Sequence, residues 1–255
     1  MIELNTIYNE DCMEGMKRIP DGSVDCIICD LPYGTTRNAW DSVIPLDELW
    51  VQYKRIIKER GAIVLFSQMP FTAILASSNL EMLKYEWIWG KAMPTGWLNS
   101  NHAPLKVHEN ILVFSKSAAS PIMGKDKAMI YNPQFDKGEP YKARRRGGIS
   151  NYNSFENTET FNDGSKYYPR DMLFFLHDKD KFHPTQKPVS LLKYLVLTYS
   201  NKGDTILDNC MGSGTTALAC IDTGRNFIGF EKEKKYFDIA MQRIAQMKQQ
   251  PKLDF

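Results

Sequence analysis

Val24-Asp25-Cys26-Ile27-Ile28-Cys29 leads directly into Asp30-Leu31-Pro32-Tyr33. The apolar run predicts a buried strand, because a strand covered on both faces is apolar almost throughout. Pro32 ends the strand, since proline cannot donate a backbone hydrogen bond and fixes its own backbone angle. A carboxylate, rigid backbone carbonyls and an aromatic ring are therefore expected together at the end of a central strand.

The four residues at this strand end can hold an amino group attached to an aromatic base. The Asp30 carboxylate and the carbonyl of Leu31 or Pro32 can accept hydrogen bonds from an NH2 group, and Tyr33 offers a flat face for stacking. Asp, Pro and Tyr are also common in ordinary turns. The tetrapeptide alone therefore leaves both a site and a turn open, and two further motifs favour a site.

The second motif lies near the end of the chain. The strand-like run Thr205-Ile206-Leu207-Asp208 is followed by Asn209-Cys210-Met211-Gly212-Ser213-Gly214 and a helical stretch. Glycines let the backbone approach a ligand, and free N–H groups at a helix start can bind an anion. Glu231 ends the next apolar strand, where an acid can accept hydrogen bonds from ribose hydroxyls. The third glycine of a dinucleotide fingerprint and the Gly-Lys-Ser/Thr of a phosphate loop are missing, which disfavours NAD and nucleoside triphosphates.

The third motif, His183-Pro184-Thr185-Gln186-Lys187-Pro188, precedes an apolar helical stretch. Its prolines restrict the backbone around three polar side chains, and Lys187 is a compact cation suited to the carboxylate of a ligand. The same pattern is typical of a solvated helix entry. It indicates a site only together with the other two motifs.

In order and spacing, these motifs resemble those of the DNA amino-methyltransferases, specifically the permuted group in which the catalytic motif precedes the cofactor motif. That family carries an Asp-Pro-Pro-Tyr box, a target-recognition segment, a His-Pro-Thr-Gln-Lys-Pro box and an Asp-Pro-Phe-x-Gly-Ser-Gly-Thr loop. The resemblance covers about residues 3–116 and 183–245. Leu31 replaces the first proline of the box, and Asn209-Cys210-Met211 replaces Pro-Phe-x in the loop. The charged and glycine positions of both motifs are unchanged.

The resemblance implies S-adenosylmethionine as the cofactor and direct methyl transfer to a base rotated out of double-stranded DNA. It assigns catalysis to Asp30, Leu31, Pro32 and Tyr33. Asp11 corresponds to an acid near the adenine of the cofactor, and it is equally suited to be a helix N-cap. The implied cofactor-binding residues are Asp11, Asp30, Thr185, Gln186, Lys187, Asp208, Asn209, Gly212, Ser213, Gly214, Thr215 and Glu231.

In this family an Asp that opens the tetrapeptide usually accompanies adenine N6, so we expect N6-adenine methylation, with cytosine N4 as the alternative. A carbon-5 cytosine enzyme is disfavoured, because it needs a thiol that follows a proline, and no cysteine here does. Methylation of glutamine in a protein fits less well, since that group usually opens with Asn. A DNA-binding relative without turnover stays open, as does an RNA substrate.

Alternating strands and helices predict a three-layer, Rossmann-like α/β fold with a mainly parallel sheet of seven strands. The resemblance further implies a circularly permuted sheet in which the last helix leads toward the first strand. The predicted strands are Asn5–Tyr8, Val24–Cys29, Ala62–Phe66, Tyr85–Trp89, Ile111–Phe114, Thr205–Asp208 and Phe227–Phe230. The predicted helices are Met13–Arg18, Leu46–Arg60, Val189–Tyr199, Thr215–Asp222 and Lys234–Gln249.

Residues 117–182 lack periodicity, and we interpret them as a target-recognition insert within a single methyltransferase domain, 1–255. The net charge is only +2, but residues 91–187 carry fifteen Lys or Arg against ten Asp or Glu. The densest basic point, Arg144-Arg145-Arg146, suits contacts with DNA phosphates. Trp97 is the aromatic candidate for the DNA cleft.

The composition, at 43% hydrophobic residues over 255, is that of a chain able to bury one core. Its five cysteines have neither a disulfide framework nor the paired spacing of a zinc site, so no metal is expected. No leader pattern or long apolar run occurs, and we therefore expect a cytoplasmic protein outside the membrane. The sequence leaves open a monomer or a homodimer, and the presence of a cognate restriction enzyme.

Overall fold

The computed structural model describes residues 2–34, 42–120, 124–149, 154–180, 182–183 and 185–249, so Pro184 of the third motif lies outside the described residues. Its elements in chain order are β1 (Thr6–Tyr8), α1 (Cys12–Met16), β2 (Val24–Asp30), α2 (Leu46–Ile56), β3 (Ile57–Ser67), α3 (Phe71–Ser78), β4 (Leu83–Thr95), β5 (Lys106–Phe114), β6 (Tyr141–Arg145), β7 (Gly148–Ile149), β8 (Ser154–Phe155), β9 (Thr158–Asn162), β10 (Met172–Phe174), α4 (Val189–Tyr199), β11 (Thr205–Asp208), α5 (Thr215–Thr223), β12 (Asn226–Phe230) and α6 (Lys234–Gln249).

Among the described residues, eight strands form one sheet in the order β1-β12-β11-β2-β3-β5-β4-β10. Only β5 runs antiparallel to its neighbours, so the prediction of a mainly parallel α/β sheet is confirmed. The predicted count of seven strands was one too low. The additional strand, β10, pairs with the edge of β4. Because β10 has only three residues, it is too short to give a periodic signal in the sequence.

The first and last strands of the chain are neighbours in the sheet. β1 lies parallel to β12, with Thr6 opposite Ile228 and Tyr8 opposite Phe230. This adjacency agrees with the permuted sheet that the resemblance implies, and the permutation itself stays a prediction.

The core has two halves, one on each face of the sheet. Ile28 of β2 faces a cluster built with α4, α5 and α6, whereas its neighbours Ile27 and Cys29 face a cluster built with α1, α2 and α3. Successive side chains of a strand point to opposite faces, so a strand buried in both directions must be apolar on both. The predicted three layers are therefore present, with β2 at their centre.

Gly61 lies within a strand. The helix predicted to run to Arg60 ends instead at Ile56, and β3 begins at the next residue. A Cβ at Gly61 would lie 2.7 Å from the backbone oxygen of Asp25 in β2. The close approach of two strands therefore explains the glycine. In the sequence alone, a glycine at such an approach looks the same as a glycine that ends a helix.

Residues 133–170 form a compact unit of their own, within the range 117–182 predicted as an insert. In this unit β6 pairs with β9 and β7 with β8 as antiparallel ribbons. Every residue of β6 is exposed. β10, although also within 117–182, belongs to the main sheet.

Candidate active site

Three parallel strands end at one edge of the sheet around a cavity of about 690 Å³. Asp30 ends β2, Asp208 ends β11, and Glu231 follows β12. This carboxyl edge is the usual ligand site of an open α/β sheet, and the volume falls within the roughly 300–1,000 Å³ of small-molecule sites. Tyr33 and Gly212 line the same cavity. The structure thus brings the first two sequence motifs into one space.

The segment from Asp30 to Tyr33 is held by its own side chains. The Tyr33 hydroxyl donates to Asp30 Oδ1 at 2.6 Å. The Tyr33 ring stacks on Phe71, with 5.1 Å between ring centroids and 25° between planes. Leu31 is 3% exposed, so its side chain belongs to the core and its backbone is what it can offer a ligand.

Lys187 pairs with the catalytic candidate Asp30. Its ammonium donates to Asp30 Oδ2 and lies 3.3 Å from Glu109 Oε2. Burial raises the pKa of Asp30, and the Lys187 ammonium opposes that rise. Burial alone would lower the pKa of Lys187, but the two carboxylates outweigh it and raise that pKa. Lys187 is therefore a cation held on Asp30, a partner that the sequence prediction did not include.

The glycine loop uses its two glycines differently. Gly214 has a φ of +83°, and a Cβ there would lie 2.9 Å from the Ala240 Cβ in α6. Gly212 has a φ of +54°, and among the described residues a Cβ there would approach only His183, at 4.0 Å. Gly214 thus permits a tight turn and close helix packing. Gly212 leaves the backbone open to the cavity.

Asp208 supports the loop through hydrogen bonds. Its Oδ2 accepts from the Thr216 hydroxyl at 2.5 Å, and its Oδ1 accepts from the Cys210 N–H at 3.1 Å. Burial raises the pKa of Asp208 to about 7, and the two donors oppose that rise. Asp208 is 4% exposed, so its direct structural role is to hold the loop.

Ser213 joins the glycine loop to the third motif. Its hydroxyl donates to Gln186 Oε1 at 3.2 Å. Arg243 of α6 donates to the Ser213 carbonyl at 2.7 Å and to the Thr215 hydroxyl at 3.3 Å. Ser213 therefore links the loop to Gln186, and Arg243, which the sequence analysis did not identify, holds Ser213 and Thr215.

Thr185 and His183 form the cavity wall beside Gly212. The Thr185 hydroxyl lies 3.0 Å from His183 Nδ1. The His183 ring packs edge-on against the Tyr236 ring, with 4.0 Å between the ring centroids. Burial lowers the pKa of His183 to about 4, and the positive charge of Lys187 adds to the effect. The imidazole is therefore neutral at physiological pH.

The Asn209 side chain is held by a residue of the core on the sheet face that carries α1, α2 and α3. Asn209 is buried at 2% exposure, and its Oδ1 accepts from the Tyr53 hydroxyl of α2 at 2.5 Å.

Tyr53→Phe should lower the free energy of unfolding by about 1–3 kcal/mol, because the amide oxygen of Asn209 is left buried without this donor. Urea denaturation measures the change. The matched variant Tyr168→Phe, at a ring 75% exposed, should change stability by less than about 0.5 kcal/mol; equal effects of the two would contradict the prediction.

Glu231 and Asp11 line the part of the cavity next to β12 and α1. Glu231 Oε2 accepts from the Gly212 N–H at 2.7 Å, and burial raises the pKa of its carboxyl. Asp11 caps α1, since its Oδ1 accepts from the Met13 N–H at 2.9 Å. The predicted N-cap is therefore confirmed, and both acids face the space that the motifs share.

The predicted DNA-binding residues lie in the two separate units. Trp97 is 63% exposed, and its indole N–H donates to the Pro94 carbonyl at 3.2 Å. Arg144 and Arg145 end β6 and Arg146 follows it. Arg144 pairs with Glu159 at 2.6 Å between two exposed side chains. Arg144 is thus partly neutralised.

Sequence reasoning did not identify Lys91, Tyr53 and Arg243 as supports of the motifs, whereas His108-Glu109 resembles a family position beside the cofactor cleft and Glu109 does line the cavity. Glu109 and Lys91 form an ion pair beside Lys187, and Tyr53 and Arg243 anchor the loop. Tyr53 and Arg243 lie on amphipathic helices, where their types are ordinary.

Three of the five cysteines, Cys12, Cys29 and Cys210, line the cavity. Among the described residues, no group of three His, Cys, Asp or Glu side chains could hold a metal ion. In the same part of the chain, no helix has the length and apolar character needed to cross a bilayer.

Known proteins are similar to this chain in both sequence and fold. DNA adenine methyltransferase YhdJ of Escherichia coli (strain K12) is 29% identical over 254 residues, which cover 95% of this chain and 83% of that protein. Type II methyltransferase M.HinfI of Haemophilus influenzae is 28% identical, with 97% of this chain and 70% of that protein covered. The crystal structure of the M1.HpyAVI-SAM complex has a TM-score of 0.63 and 27% identity, over 95% of this chain and 100% of that chain.

The family model described as DNA methylase, N6_N4_Mtase, matches residues 24–242. This range contains all three motifs and the strands that carry them. The resemblance to the DNA amino-methyltransferases as a family is therefore confirmed: the chain belongs to the DNA methylase family of N6 and N4 methyltransferases.

Proposed function

We propose that this DNA methylase transfers the methyl group of S-adenosylmethionine to N6 of adenine in double-stranded DNA. The observation that carries the proposal is one cavity lined by both the Asp30–Tyr33 segment and the glycine loop. The name of the YhdJ relative points to adenine in particular. S-adenosylmethionine supplies an electrophilic methyl group, so the protein has only to hold and orient the two reactants.

The cavity has the features that the cofactor needs. The backbone at Gly212 is open on the cavity side, and the carboxylates of Glu231 and Asp11 provide acceptors for hydroxyl and amino groups. The third motif contributes Thr185 and Gln186 beside Ser213. We assign cofactor binding to these residues, with Asp208, Asn209, Gly214 and Thr215 acting as supports of the loop.

Asp30 is the acceptor for the target amine. The exocyclic nitrogen of adenine is a weak nucleophile, because its lone pair is delocalised into the ring. Hydrogen bonds from the NH2 group to the Asp30 carboxylate and to the Leu31 or Pro32 carbonyl favour a pyramidal nitrogen and stabilise the positive charge that develops during attack. This is electrostatic preorganisation.

The base has to leave the duplex to reach Asp30, since a stacked base pair hides the nitrogen. Tyr33 is the stacking partner within the cavity, and its ring is supported by Phe71 on one side. Stacking on Tyr33 offsets part of the cost of unstacking the base.

The substrate assignment is tested with radiolabelled cofactor and unmethylated genomic DNA, followed by digestion and nucleoside analysis. We expect the label in N6-methyladenine. Label only in N4-methylcytosine would select the alternative substrate, and label only in protein would refute the proposal. Asp30→Ala, assayed in parallel, controls for a contaminating activity.

The arginine cluster of the 133–170 unit, Arg144 to Arg146, should contribute to DNA binding. Replacing Arg144, Arg145 and Arg146 with Gln preserves the backbone of β6. We expect weaker DNA binding with a shallower salt dependence, by about 0.9 in slope for each phosphate that is no longer neutralised. Filter binding at several salt concentrations measures it. Glu159→Gln removes the acid beside Arg144 and should strengthen binding. An unchanged slope in the triple variant would remove this cluster from the interface.

A further inference from the structure

Four charged side chains from four segments, Asp30 among them, form a continuous and largely buried cluster. Lys91 of β4 pairs with Glu109 Oε1 of β5, and Glu109 Oε2 lies 3.3 Å from Lys187 Nζ. Lys187 in turn donates to Asp30 Oδ2. The charges alternate in sign from Lys91 to Asp30, so the cluster is neutral as a whole.

The cluster is largely removed from water. The side chains of Lys91, Glu109 and Lys187 are 9%, 11% and 7% exposed, respectively. The two ammonium groups also lie over aromatic rings, Lys91 over Trp89 at 5.5 Å and Lys187 over Phe66 at 5.1 Å. Buried charges of this kind are tolerated only when they are paired, so a change at one member must affect its neighbours.

We propose that Glu109 and Lys91 are positioning residues that set the charge state and the hydrogen-bonding capacity of Asp30 through Lys187. The inference rests on the proposed function, because it assigns a purpose to the environment of the amine acceptor. Lys187 is shared between two carboxylates. That sharing keeps a cation beside Asp30 and still leaves lone pairs of its carboxylate available for the NH2 group of the target base.

Removing either charge shifts this balance in a predictable direction. Glu109→Gln leaves the cluster with a net charge of +1 and gives Lys187 to Asp30 alone. Lys91→Gln leaves a net charge of −1 and draws Lys187 toward Glu109. The double variant is neutral again, with Lys187 and Asp30 as its only ion pair.

These changes act on the pKa of Asp30. Burial raises that pKa, Lys187 lowers it, and the charge of Glu109 raises it. The other titratable groups that act on or respond to Asp30 are Tyr33, Cys29 and Asp208, and none of them is altered. The Asp30 pKa should therefore fall in Glu109→Gln and rise in Lys91→Gln.

The test is the single-turnover rate of methyl transfer as a function of pH, at saturating DNA and cofactor. The rate should be lost as pH falls through the Asp30 pKa, because the protonated carboxyl accepts poorly. We expect this acidic limb at lower pH in Glu109→Gln and at higher pH in Lys91→Gln, with plateau rates reduced by up to about 100-fold. The double variant should return the limb close to that of the wild type.

A matched control removes a cation elsewhere. Lys193→Gln breaks the half-exposed Lys193–Asp222 pair on α4 and α5 and should leave the acidic limb in place. Limbs that do not move in either single variant, or that move in the same direction in both, would overturn the proposal. Loss of folding in one variant would be detected by circular dichroism, and the remaining single variant and the double variant still decide the sign.

Failure of the proposed function would be visible separately, as wild-type protein that transfers no methyl group to DNA. In that case the cluster is tested by carbon-13 NMR titration of the Asp30 carboxyl, assigned by comparison with Asp30→Asn. The midpoint should still move down in Glu109→Gln and up in Lys91→Gln. A midpoint that moves in neither would refute the electrostatic link itself.

Discussion

Asp30→Ala should lower the single-turnover rate of methyl transfer by at least about 10²- to 10³-fold, the usual cost of losing one preorganised partner of the transition state. The affinity for S-adenosylmethionine should stay within a few fold, because Asp30 is assigned to the amine of the base. Rapid-quench kinetics measures the rate, and calorimetry measures the affinity.

The alanine variant also removes one partner of the buried Lys187, so a control of similar shape is needed. Asp30→Asn keeps the size of the side chain and one acceptor oxygen but removes the negative charge. We expect an intermediate rate for this variant. Equal losses of rate and cofactor affinity in Asp30→Ala would mean that Asp30 is structural.

Gly214→Val should weaken cofactor binding by more than about tenfold and destabilise the fold. Valine is disfavoured at a φ of +83°, and its Cβ would lie 2.9 Å from the Ala240 Cβ. The left-handed backbone costs about 1–2 kcal/mol and overpacking costs about 1–3 kcal/mol more. Titration calorimetry measures the affinity, and urea denaturation measures the stability.

Gly22→Val is the matched control for backbone strain. Gly22 has a φ of +58°, and a Cβ there would meet nothing described within 4 Å. It should lose some stability but keep its cofactor affinity. If Gly214→Val is too unstable to assay, Gly212→Ala places a methyl group on the cavity side and should reduce affinity on its own. Unchanged affinity in both loop variants would refute the role of the glycine loop.

The central part of the fold follows from local pattern. β2 and β11 are short apolar runs that end in acids, and both strands lie where the sequence predicts them. α4 and α6 match their predicted bounds. The pattern is decisive there because burial on both faces of the sheet, or on one face of a helix, leaves few residue types acceptable.

The misassigned elements depend on contacts between distant residues. Gly61 lies in β3 because the Asp25 backbone approaches it, and no local pattern encodes that approach. β10 is a strand because the edge of β4 is available to it. α3, over Phe71–Ser78, has no charged residue and no side-chain cap, so little in its residues marks where a helix begins or ends.

The candidate active site also has a part that the sequence predicts and a part that only the folded structure reveals. The residues of the three motifs lie together because parallel strands share one edge, and this part could be predicted. The pairing of Lys187 with Asp30 and Glu109 could not, because it joins residues 157 positions apart in the first case and brings the third motif against β5 in the second. The ionic environment of the catalytic carboxylate is therefore a property of the folded sheet.

The most direct test of the account is a crystal structure of the protein with S-adenosylhomocysteine and a duplex that carries its target site. We predict an adenine rotated out of the duplex and stacked on Tyr33, with N6 at hydrogen-bonding distance from the Asp30 carboxylate and the sulfur of the cofactor product on the Gly212 side of the same cavity. A base that remains stacked in the duplex, or a cofactor product bound outside this cavity, would contradict the central claim.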